Sequence, residues 1–252
     1  MDNCLYISKL AFFKQSLKLL KKEYKVISVP NIIKCPKNKI KSIKAIIVPM
    51  DMKYDKKILE KFSSLKIIAS PTTGDIHIDK DYLKIRKIKF LNLKKNSKIM
   101  KEITATSDLV FAFIFELTRK ILRSYNLFFK KKINFKKKII VDFPLNKLSI
   151  GIIGLGRIGK HVAKRCKGLG MKVYFYDPKV EDKNYIKVKN IIYLFKKSNI
   201  VSLHLHYKKN LENIISYRNF TVQKRPSYFI NTSRGELLNE NSLIKSLKNK
   251  IL

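Results

Sequence analysis

A glycine-rich segment near the middle of the chain constrains its fold more than any other feature. Residues 154–159 read GLGRIG and lie between the apolar run LSIGII and a helix-like stretch. In such a turn Gly154 permits the tight bend, Gly156 lets the backbone approach a pyrophosphate, and Gly159 lets the helix pack against the strand. The segment therefore predicts a strand, a turn and a helix whose N-terminal amides and dipole favour phosphate groups.

An acidic residue stands where a dinucleotide-binding unit needs one. Asp177 ends the next apolar run, KVYFY, eighteen residues beyond Gly159. There a carboxylate accepts hydrogen bonds from the adenosine ribose and favours NAD over NADP. Lys179 nearby leaves room for NADP as the lesser alternative. Glycines in a turn can be purely structural, but strand, helix, second strand and acid occur here in the order that dinucleotide binding requires.

Short apolar runs alternate with helix-like segments along the rest of the chain. CLYIS, YKVISV, KAIIVPM, LKIIAS and IKFLNL predict strands in the first part, and LSIGII, KVYFY, YIKV, IVSLHL and YFINTS predict strands in the second. Such alternation is typical of parallel sheets with helices on both faces. We therefore predict an α/β protein with domains at residues 1–101 and 102–252.

The junction between these series has two expected parts. A long apolar helix is predicted over residues 106–122, with Ser107 and Asp108 capping its start. Two lysine triplets and a proline follow, which predicts an extended, solvent-facing connection over residues 126–147.

The basic composition admits two interpretations. Lys and Arg total 56 against 18 Asp and Glu, a net charge of +38. This charge favours polyanions, and the segment KKKINFKKK carries some aromatic interleaving, but no recognised nucleic-acid module is present. The alternative is codon drift, because the lysines are spread along polar faces instead of gathered in one tail. We expect no specific nucleic-acid partner and a field that favours small anionic ligands such as carboxylates.

Cysteine usage and hydropathy indicate a cytoplasmic protein. Cys4, Cys35 and Cys166 are far apart and form no C-x-x-C pair, which favours a reducing compartment. No metal site is predicted. Lysines interrupt the N-terminal apolar segment, so it does not resemble a signal peptide. The most apolar run, LVFAFIFEL, is too short to span a bilayer, and no membrane association is expected.

The glycine motif, joined to NTSRGE near the end of the chain, resembles the D-isomer-specific 2-hydroxyacid dehydrogenases. ASPTTGDIHID resembles the substrate-domain loop of this family, TATSDLVFAFIFELTRKI its interdomain helix, and INTSRGELLNENSLIKSL the segment with its arginine. The resemblance implies a Rossmann-type NAD-binding domain plus a flavodoxin-like substrate domain. It also implies a small anionic 2-hydroxy or 2-keto acid as substrate and a homodimer.

The same resemblance implies a set of site residues. Thr73 and Gly74 would place backbone beside the substrate carboxylate, and Arg234 would be the catalytic and substrate-binding cation. The implied cofactor-binding residues are Gly154, Gly156, Arg157, Ile158, Gly159, Asp177, Leu205, His206, Thr232, Ser233 and Arg234. His206 departs from the family, which usually has proline there.

The reaction of this family explains why an arginine is needed. Hydride transfer at C2 of a 2-hydroxy acid requires a cation that holds the carboxylate and polarises the C2 oxygen, and a group that carries the hydroxyl proton. The planar, permanently charged guanidinium of Arg234 suits the first requirement. It follows the strand YFINTS, at the sheet edge where α/β proteins bind ligands.

The second requirement has no clear candidate. In the family a histidine oriented by a glutamate carries the proton, and both lie downstream of the last helix here, as do a final strand and further helices. We therefore expect a chain that is truncated at its C-terminus. His161 is predicted on a solvated helix face, while His204 and His206 alternate with leucine on a strand. Only His77 lies in a segment expected to be near the substrate, and no carboxylate partner for it is identified.

Three functions are compared on this basis. The first is an NAD-dependent oxidoreductase acting on the CH–OH group of a D-2-hydroxy acid, with phosphoglycerate as one possible substrate. The segment VPMDMKYDK, however, lacks the arginine that often binds phosphate in such enzymes. The second is a catalytically inactive NAD-binding fragment or scaffold. The third is a polyanion binder that uses KKKINFKKK.

Overall fold

The computed structural model describes residues 1–95, 100, 102–129 and 143–252. Within it the chain forms two compact units, an N-terminal unit of Met1–Glu102 and a C-terminal unit of Ile103–Leu252. None of the helices in the described ranges combines the length and apolarity that crossing a membrane would require. The segment KKKINFKKK lies outside the described residues.

A five-stranded parallel sheet forms the centre of the N-terminal unit. Its strands are β1 (Asp2–Ile7), β2 (Tyr24–Val29), β3 (Ile43–Ile47), β4 (Ile67–Ser70) and β5 (Lys89–Asn92), in the order β2-β1-β3-β4-β5. The helices are α1 (Lys14–Glu23), α2 (Lys37–Ile40), α3 (Lys56–Leu59) and α4 (Lys80–Ile85). This strand order is that of flavodoxin-like folds, as predicted.

Short polar side chains begin two of these helices. The carboxylate of Asp55 accepts a hydrogen bond from the Ile58 amide at 3.1 Å, and that of Asp79 accepts one from the Tyr82 amide at 3.0 Å. Such N-caps satisfy amides that have no partner within the helix. Asp79 thereby ends the loop after β4 at a defined point.

A second parallel sheet forms the centre of the C-terminal unit. Its strands are β6 (Ser149–Ile153), β7 (Lys172–Tyr176), β8 (Ile186–Lys187), β9 (Ile200–Leu203) and β10 (Tyr228–Asn231), in the order β10-β9-β6-β7-β8. Counted from β6, this is the 3-2-1-4-5 order of a Rossmann sheet. All five residues of β6 are buried, so both faces of the strand are covered. The predicted fold class is confirmed.

Six described helices belong to the C-terminal unit. They are α5 (Ala105–Arg119), α6 (Ile121–Phe129), α7 (Arg157–Gly168), α8 (Ile191–Lys197), α9 (Tyr217–Thr221) and α10 (Glu240–Lys248). Val110 and Ile114 of α5 are fully buried in the core that also contains Ile150 and Val162. The apolar stripe of α5 therefore packs on the same core as the strand and helix of the glycine motif.

The long helix differs from its prediction at both ends. It begins at Ala105, with Thr104 as N-cap, and the predicted capping by Ser107 and Asp108 is wrong. Ser107 instead lies in the first turn, where its hydroxyl donates to the Thr104 carbonyl at 2.6 Å. Lys120 takes a left-handed conformation (φ 49°), which ends α5 and starts α6 in a new direction.

The predicted connection over residues 126–147 is also corrected in part. Residues 126–129 belong to α6, because the apolar periodicity continues to Phe129. Residues 130–142 lie outside the described part of the chain, and a 3₁₀ turn at Leu145–Lys147 leads into β6.

Candidate functional site

The carboxyl edge of the C-terminal sheet brings the glycine motif next to the end of β9. β6 and β9 are hydrogen-bonded neighbours, and the strand order reverses at β6. The amide of His204 donates to the carbonyl of Ile153 at 2.8 Å, after which the two chains diverge around Gly154. In open α/β sheets, ligands bind in the crevice at this reversal point.

Two of the three motif glycines are required by packing. Gly154 has φ +91°, and an added Cβ would lie 2.8 Å from the carbonyl oxygen of His204. A Cβ on Gly159 would lie 2.1 Å from the carbonyl oxygen of Gly154. Side chains at these positions would displace backbone, so the turn closes only with glycine.

The third glycine meets open space. An added Cβ on Gly156 would have no heavy atom of the described chain within 4 Å, although the backbone there is extended and not strained. Gly156 is also the N-cap of α7 and offers no side chain to the free amides of the first turn. The turn thus presents bare backbone donors to open space, the arrangement that binds phosphate oxygens at helix N-termini.

The Asp177 carboxylate is fixed beside this turn. Its Oδ2 accepts from the amide of Leu155 at 2.9 Å, and its Oδ1 accepts from the amide of Lys179 at 2.8 Å. Each carboxylate oxygen can accept a further hydrogen bond. Asp177 is therefore held at the end of β7 with acceptor capacity left for ribose hydroxyls.

Arg157 and Ile158 follow the turn as the first residues of α7. The guanidinium of Arg157 donates to the carbonyl of Ile103, so its side chain is engaged within its own unit. Ile158 is partly buried against the core of the sheet. Because both residues lie in the first turn of α7, their backbone amides have no partner within the helix.

Leu205 and His206 lie just beyond β9, which ends at Leu203 and not at Leu205 as predicted. Leu205 packs against the turn, since its Cδ2 would be 2.9 Å from a Cβ on Gly154, whereas His206 is exposed. The strand ends early because β6 turns away at Gly154 and removes its hydrogen-bond partner.

His204 lies between these elements and was assigned no role from sequence. Its Nε2 is 2.9 Å from the hydroxyl of Ser202, a fully buried residue of β9. Burial lowers the pKa of His204 to about 4, so its imidazole is neutral at physiological pH. It is a packed polar group of the turn and a poor proton donor.

The Arg234 segment is tied to the end of β9. The hydroxyl of Ser233 donates to the carbonyl of Leu203 at 2.6 Å. The side chain of Asn231 accepts from the Ser233 amide at 2.9 Å and donates to the Arg234 carbonyl at 2.8 Å. Asn231 was not predicted as a site residue, although an Asn that closes a turn on its own backbone is a recognisable sequence signal.

The guanidinium of Arg234 is partly buried and mostly uncommitted. Its Nη1 donates to the Ser233 carbonyl at 2.8 Å, and it makes no other hydrogen bond to residues that the structure describes. Its remaining N–H groups can therefore donate two parallel hydrogen bonds to a carboxylate. Thr232 lies beside it, and within the described chain its buried Oγ1 has no hydrogen-bond partner. A buried hydroxyl without a partner is rare in native proteins, which makes Thr232 a candidate ligand-binding residue.

The loop after β4 contains Thr73 and Gly74 in the N-terminal unit. The Thr72 carbonyl accepts from the Leu93 amide at 3.1 Å, and the His77 carbonyl accepts from the Tyr54 amide at 2.7 Å. The amides of Thr73 and Gly74, between these two ties, make no hydrogen bond to any residue in the described ranges. The loop is thus anchored at both ends and presents two adjacent donors.

His77 lies at the far end of this loop. It is 6% exposed, and its Nε2 is 3.1 Å from the hydroxyl of Ser70, which is 3% exposed. Its ring also meets that of Tyr54 edge-on, with centroids 6.2 Å apart. The imidazole is therefore a buried part of the loop and is not presented to solvent as an acid or base.

A Rossmann-ordered sheet with this glycine turn and Asp177 after its second strand defines a dinucleotide-binding α/β protein. Residues 111–252 match the family model described as the NAD binding domain of D-isomer specific 2-hydroxyacid dehydrogenases, and residues 7–125 match that of the catalytic domain. The chain belongs to the D-isomer-specific 2-hydroxyacid dehydrogenase family.

Individual relatives agree with this assignment. Glyoxylate reductase of Thermococcus litoralis is 31% identical over 83% of this chain and 65% of its own length. D-lactate dehydrogenase of Aquifex aeolicus, solved with NAD and lactic acid, superimposes with a TM-score of 0.78 at 27% identity, covering 98% of this chain and 74% of that one. An acyclic imino acid reductase solved with NADPH and D-Arg has a TM-score of 0.81 at 28% identity, covering 99% and 80%.

Proposed function

We propose that this protein acts as an NAD-dependent oxidoreductase on the C2 position of a D-2-hydroxy acid or the corresponding 2-keto acid. One observation carries the proposal: the glycine turn and the Arg234 segment share the carboxyl edge of a single sheet, joined through the hydrogen bond from Ser233 to Leu203. β9 alone separates β6 from β10, so about 10 Å lies between the two strands. That spacing fits a cofactor whose phosphates and reactive ring bind at separate points.

The residues at this edge fit a dinucleotide. We assign the pyrophosphate to the amides at Gly156, Arg157 and Ile158, and the adenosine ribose to Asp177. Leu205 and His206 are proposed to line the adenosine side. The supporting observations are the open space at Gly156 and the spare acceptor capacity of Asp177.

The nicotinamide half is assigned to the segment after β10. When bound, the ring supplies the transfer of a hydride to or from C2. Thr232 and Ser233 are proposed to position the ring, and the buried hydroxyl of Thr232 that has no partner among the described residues supports this. Arg234 is proposed to hold the substrate carboxylate and to polarise the C2 oxygen.

Proton transfer is assigned to none of the four histidines. His204 at this edge titrates near pH 4 and is bonded to Ser202, so it cannot act as an acid at neutral pH. His77 is committed to Ser70 inside the N-terminal unit. Catalysis by this chain alone must therefore be measured separately from ligand binding.

For the substrate, we propose a small 2-keto acid without a phosphate group, bound in the N-terminal unit through the amides of Thr73 and Gly74. Asp51 follows β3 at the reversal point of that sheet, where its carboxylate accepts from the Tyr54 hydroxyl at 2.7 Å and pairs with Lys9 at 3.4 Å. A carboxylate in this place disfavours a second anionic group on the substrate. Phosphoglycerate is accordingly the weaker candidate.

Two experiments test the proposal. Titration of the full chain with NADH, followed by ligand fluorescence, should give saturable binding that persists at high salt, because the site is built from directed hydrogen bonds as well as charge. NADH oxidation is then measured with glyoxylate, hydroxypyruvate and phosphohydroxypyruvate. NADH binding without turnover would favour the alternative of an inactive NAD-binding protein, and absence of NADH binding by folded chain would exclude both.

A homodimer is proposed through the exposed apolar side chains of α5 and α6. These are Leu109, Phe113 and Phe115 of α5 and Ile121, Leu122, Tyr125 and Phe129 of α6. Exposed apolar side chains in such number favour an interaction site. Phe113→Glu should convert the dimer to a monomer in light scattering, whereas Phe13→Glu, on an exposed phenylalanine of the N-terminal unit, should not.

A cytoplasmic location is also proposed. Cys4, Cys35 and Cys166 are buried and unbridged, and burial raises the pKa of the Cys166 thiol to about 12, which makes it unreactive. Thiols in this state fit a reducing compartment.

A further inference from the structure

The loop of residues 70–77 contains a chain of hydrogen bonds that the roles assigned so far do not use. It runs from His77 Nε2 to the Ser70 hydroxyl (3.1 Å), from Ser70 to the Thr72 hydroxyl (2.9 Å), and from Thr72 to the carbonyl oxygen of Gly74 (2.9 Å). Three of its members are side chains, and the chain ends on the peptide beside the two open amides.

Counting the available protons shows which group donates in each of these hydrogen bonds. The Gly74 carbonyl can only accept, so the single hydroxyl proton of Thr72 is used there. Thr72 must then accept from Ser70, whose own proton is thereby used. Ser70 must in turn accept, and the donor has to be Nε2–H of His77. His77 is therefore protonated on Nε2, and each group donates to the next, from His77 through Ser70 and Thr72 to the Gly74 carbonyl.

We infer that His77 is a positioning residue that orients the Thr73–Gly74 amides for a carboxylate through Ser70 and Thr72. The inference rests on the proposed function, since it takes those amides to be substrate-binding. The bond from Thr72 holds the Gly74–Asp75 peptide through the Gly74 carbonyl, and the Leu93 amide holds the Thr72–Thr73 peptide through the Thr72 carbonyl. The Thr73–Gly74 peptide lies between these two held peptides, which restricts its rotation. A buried relay resists such rotation because breaking it would leave polar groups unpaired.

The first test reads the relay without any ligand. In a long-range ¹H–¹⁵N spectrum of the full chain, the His77 ring, identified by the signals lost in His77→Gln, should carry a proton on Nε2. A neutral ring protonated only on Nδ1 would overturn the inference, because Ser70 would then have no donor.

The second test reads the consequence with a matched pair of variants. Thr72→Val keeps the shape of the side chain and removes the hydroxyl, whereas Thr72→Ser keeps the hydroxyl. Binding of oxamate, a 2-keto-acid isostere, is measured by calorimetry in saturating NADH. We expect about a tenfold loss of oxamate affinity in Thr72→Val, a change within about twofold in Thr72→Ser, and unchanged NADH affinity in both.

The outcomes separate this inference from the function on which it rests. Equal oxamate affinity in the two variants, with binding intact in the unmodified chain, overturns the relay and leaves the proposed function in place. An unmodified chain that binds NADH but no oxamate overturns the proposed substrate class and the inference together.

Discussion

The glycine turn of residues 154–159 and the loop of residues 70–77 each follow an interior strand of a five-stranded parallel sheet, but they are held in different ways. The first is held by sterics, since added methyl groups on Gly154 and Gly159 would collide with backbone. The second is held by side-chain hydrogen bonds through Ser70, Thr72 and His77. A steric requirement fixes residue type at a fixed spacing, whereas a hydrogen-bonded loop can be built by many combinations of polar residues.

This difference predicts that the glycine turn fails abruptly on substitution. In Gly159→Ala the new methyl group would lie 2.1 Å from the Gly154 carbonyl oxygen, and because backbone must move we expect a loss of about 3 kcal/mol or more in unfolding free energy and no measurable NADH binding. Gly168→Ala is the control, since an added Cβ at that position of the same helix would have no heavy atom of the described residues within 4 Å, and alanine favours helix. Urea unfolding and NADH fluorescence measure both effects. A Gly159→Ala protein that binds NADH normally would contradict the steric account.

The Arg234 segment belongs to the second type, held by hydrogen bonds from Asn231 and Ser233. Replacing its cation should therefore leave the fold intact and affect only the ligand. In Arg234→Gln we expect oxamate affinity in the presence of NADH to fall on the order of a hundredfold, about 2–3 kcal/mol, because charge-assisted bonds are lost. NADH affinity should stay within about twofold.

The matched control for this substitution removes the same charge elsewhere. Arg218 lies on an exposed face of α9, and Arg218→Gln should leave oxamate affinity unchanged. If both variants weaken oxamate binding equally, the general positive field of the chain binds the anion, and the role given to Arg234 is wrong.

The glycine turn of residues 154–159 was predictable from sequence. For the hydrogen-bonded loop of residues 70–77, only its place and its resemblance to a substrate loop were predicted. Glycine spacing and the acid at 177 follow from backbone geometry that every such turn shares. The relay from His77 has no periodic signature, because its members meet only after the loop folds. The pattern of leucine and histidine at 203–206 misled the strand prediction for a related reason: alternation continues in the sequence after the neighbouring strand has turned away at Gly154.

The helix start at Ala105 was missed for a different reason. The sequence TATSD offers several short polar residues that can cap a helix, and apolar periodicity does not choose among them. The buried stripe of Val110 and Ile114, by contrast, was fixed by the helical period and is buried as that period requires.

His204, which packs beside the glycine turn, should make the stability of the protein depend on pH. His204 has a pKa of about 4 in the folded chain, below the value near 6.5 of an unfolded chain. Between these values the unfolded chain binds more protons, so the stability contributed by neutral His204 is complete above pH 6.5 and is lost as pH falls toward 4. We expect unfolding free energy to drop by about 2 kcal/mol from pH 7 to pH 5 on this account. His204→Gln should remove most of this slope, and the exposed His206→Gln should retain it.

The smallest expected effect concerns the choice of cofactor. Asp177 is held beside the turn by the amides of Leu155 and Lys179, and its charge opposes a 2′-phosphate. In Asp177→Asn that repulsion is removed while one carbonyl oxygen remains to accept a backbone hydrogen bond. We expect the ratio of NADH to NADPH affinity to shift toward NADPH on the order of tenfold, about 1.4 kcal/mol. Asp182→Asn removes a similar charge from a partly exposed position and should leave the ratio unchanged. Because the turn itself depends on glycine and not on this carboxylate, NADH should still bind to Asp177→Asn. An unmodified chain that prefers NADPH would show instead that Lys179, and not Asp177, sets the preference.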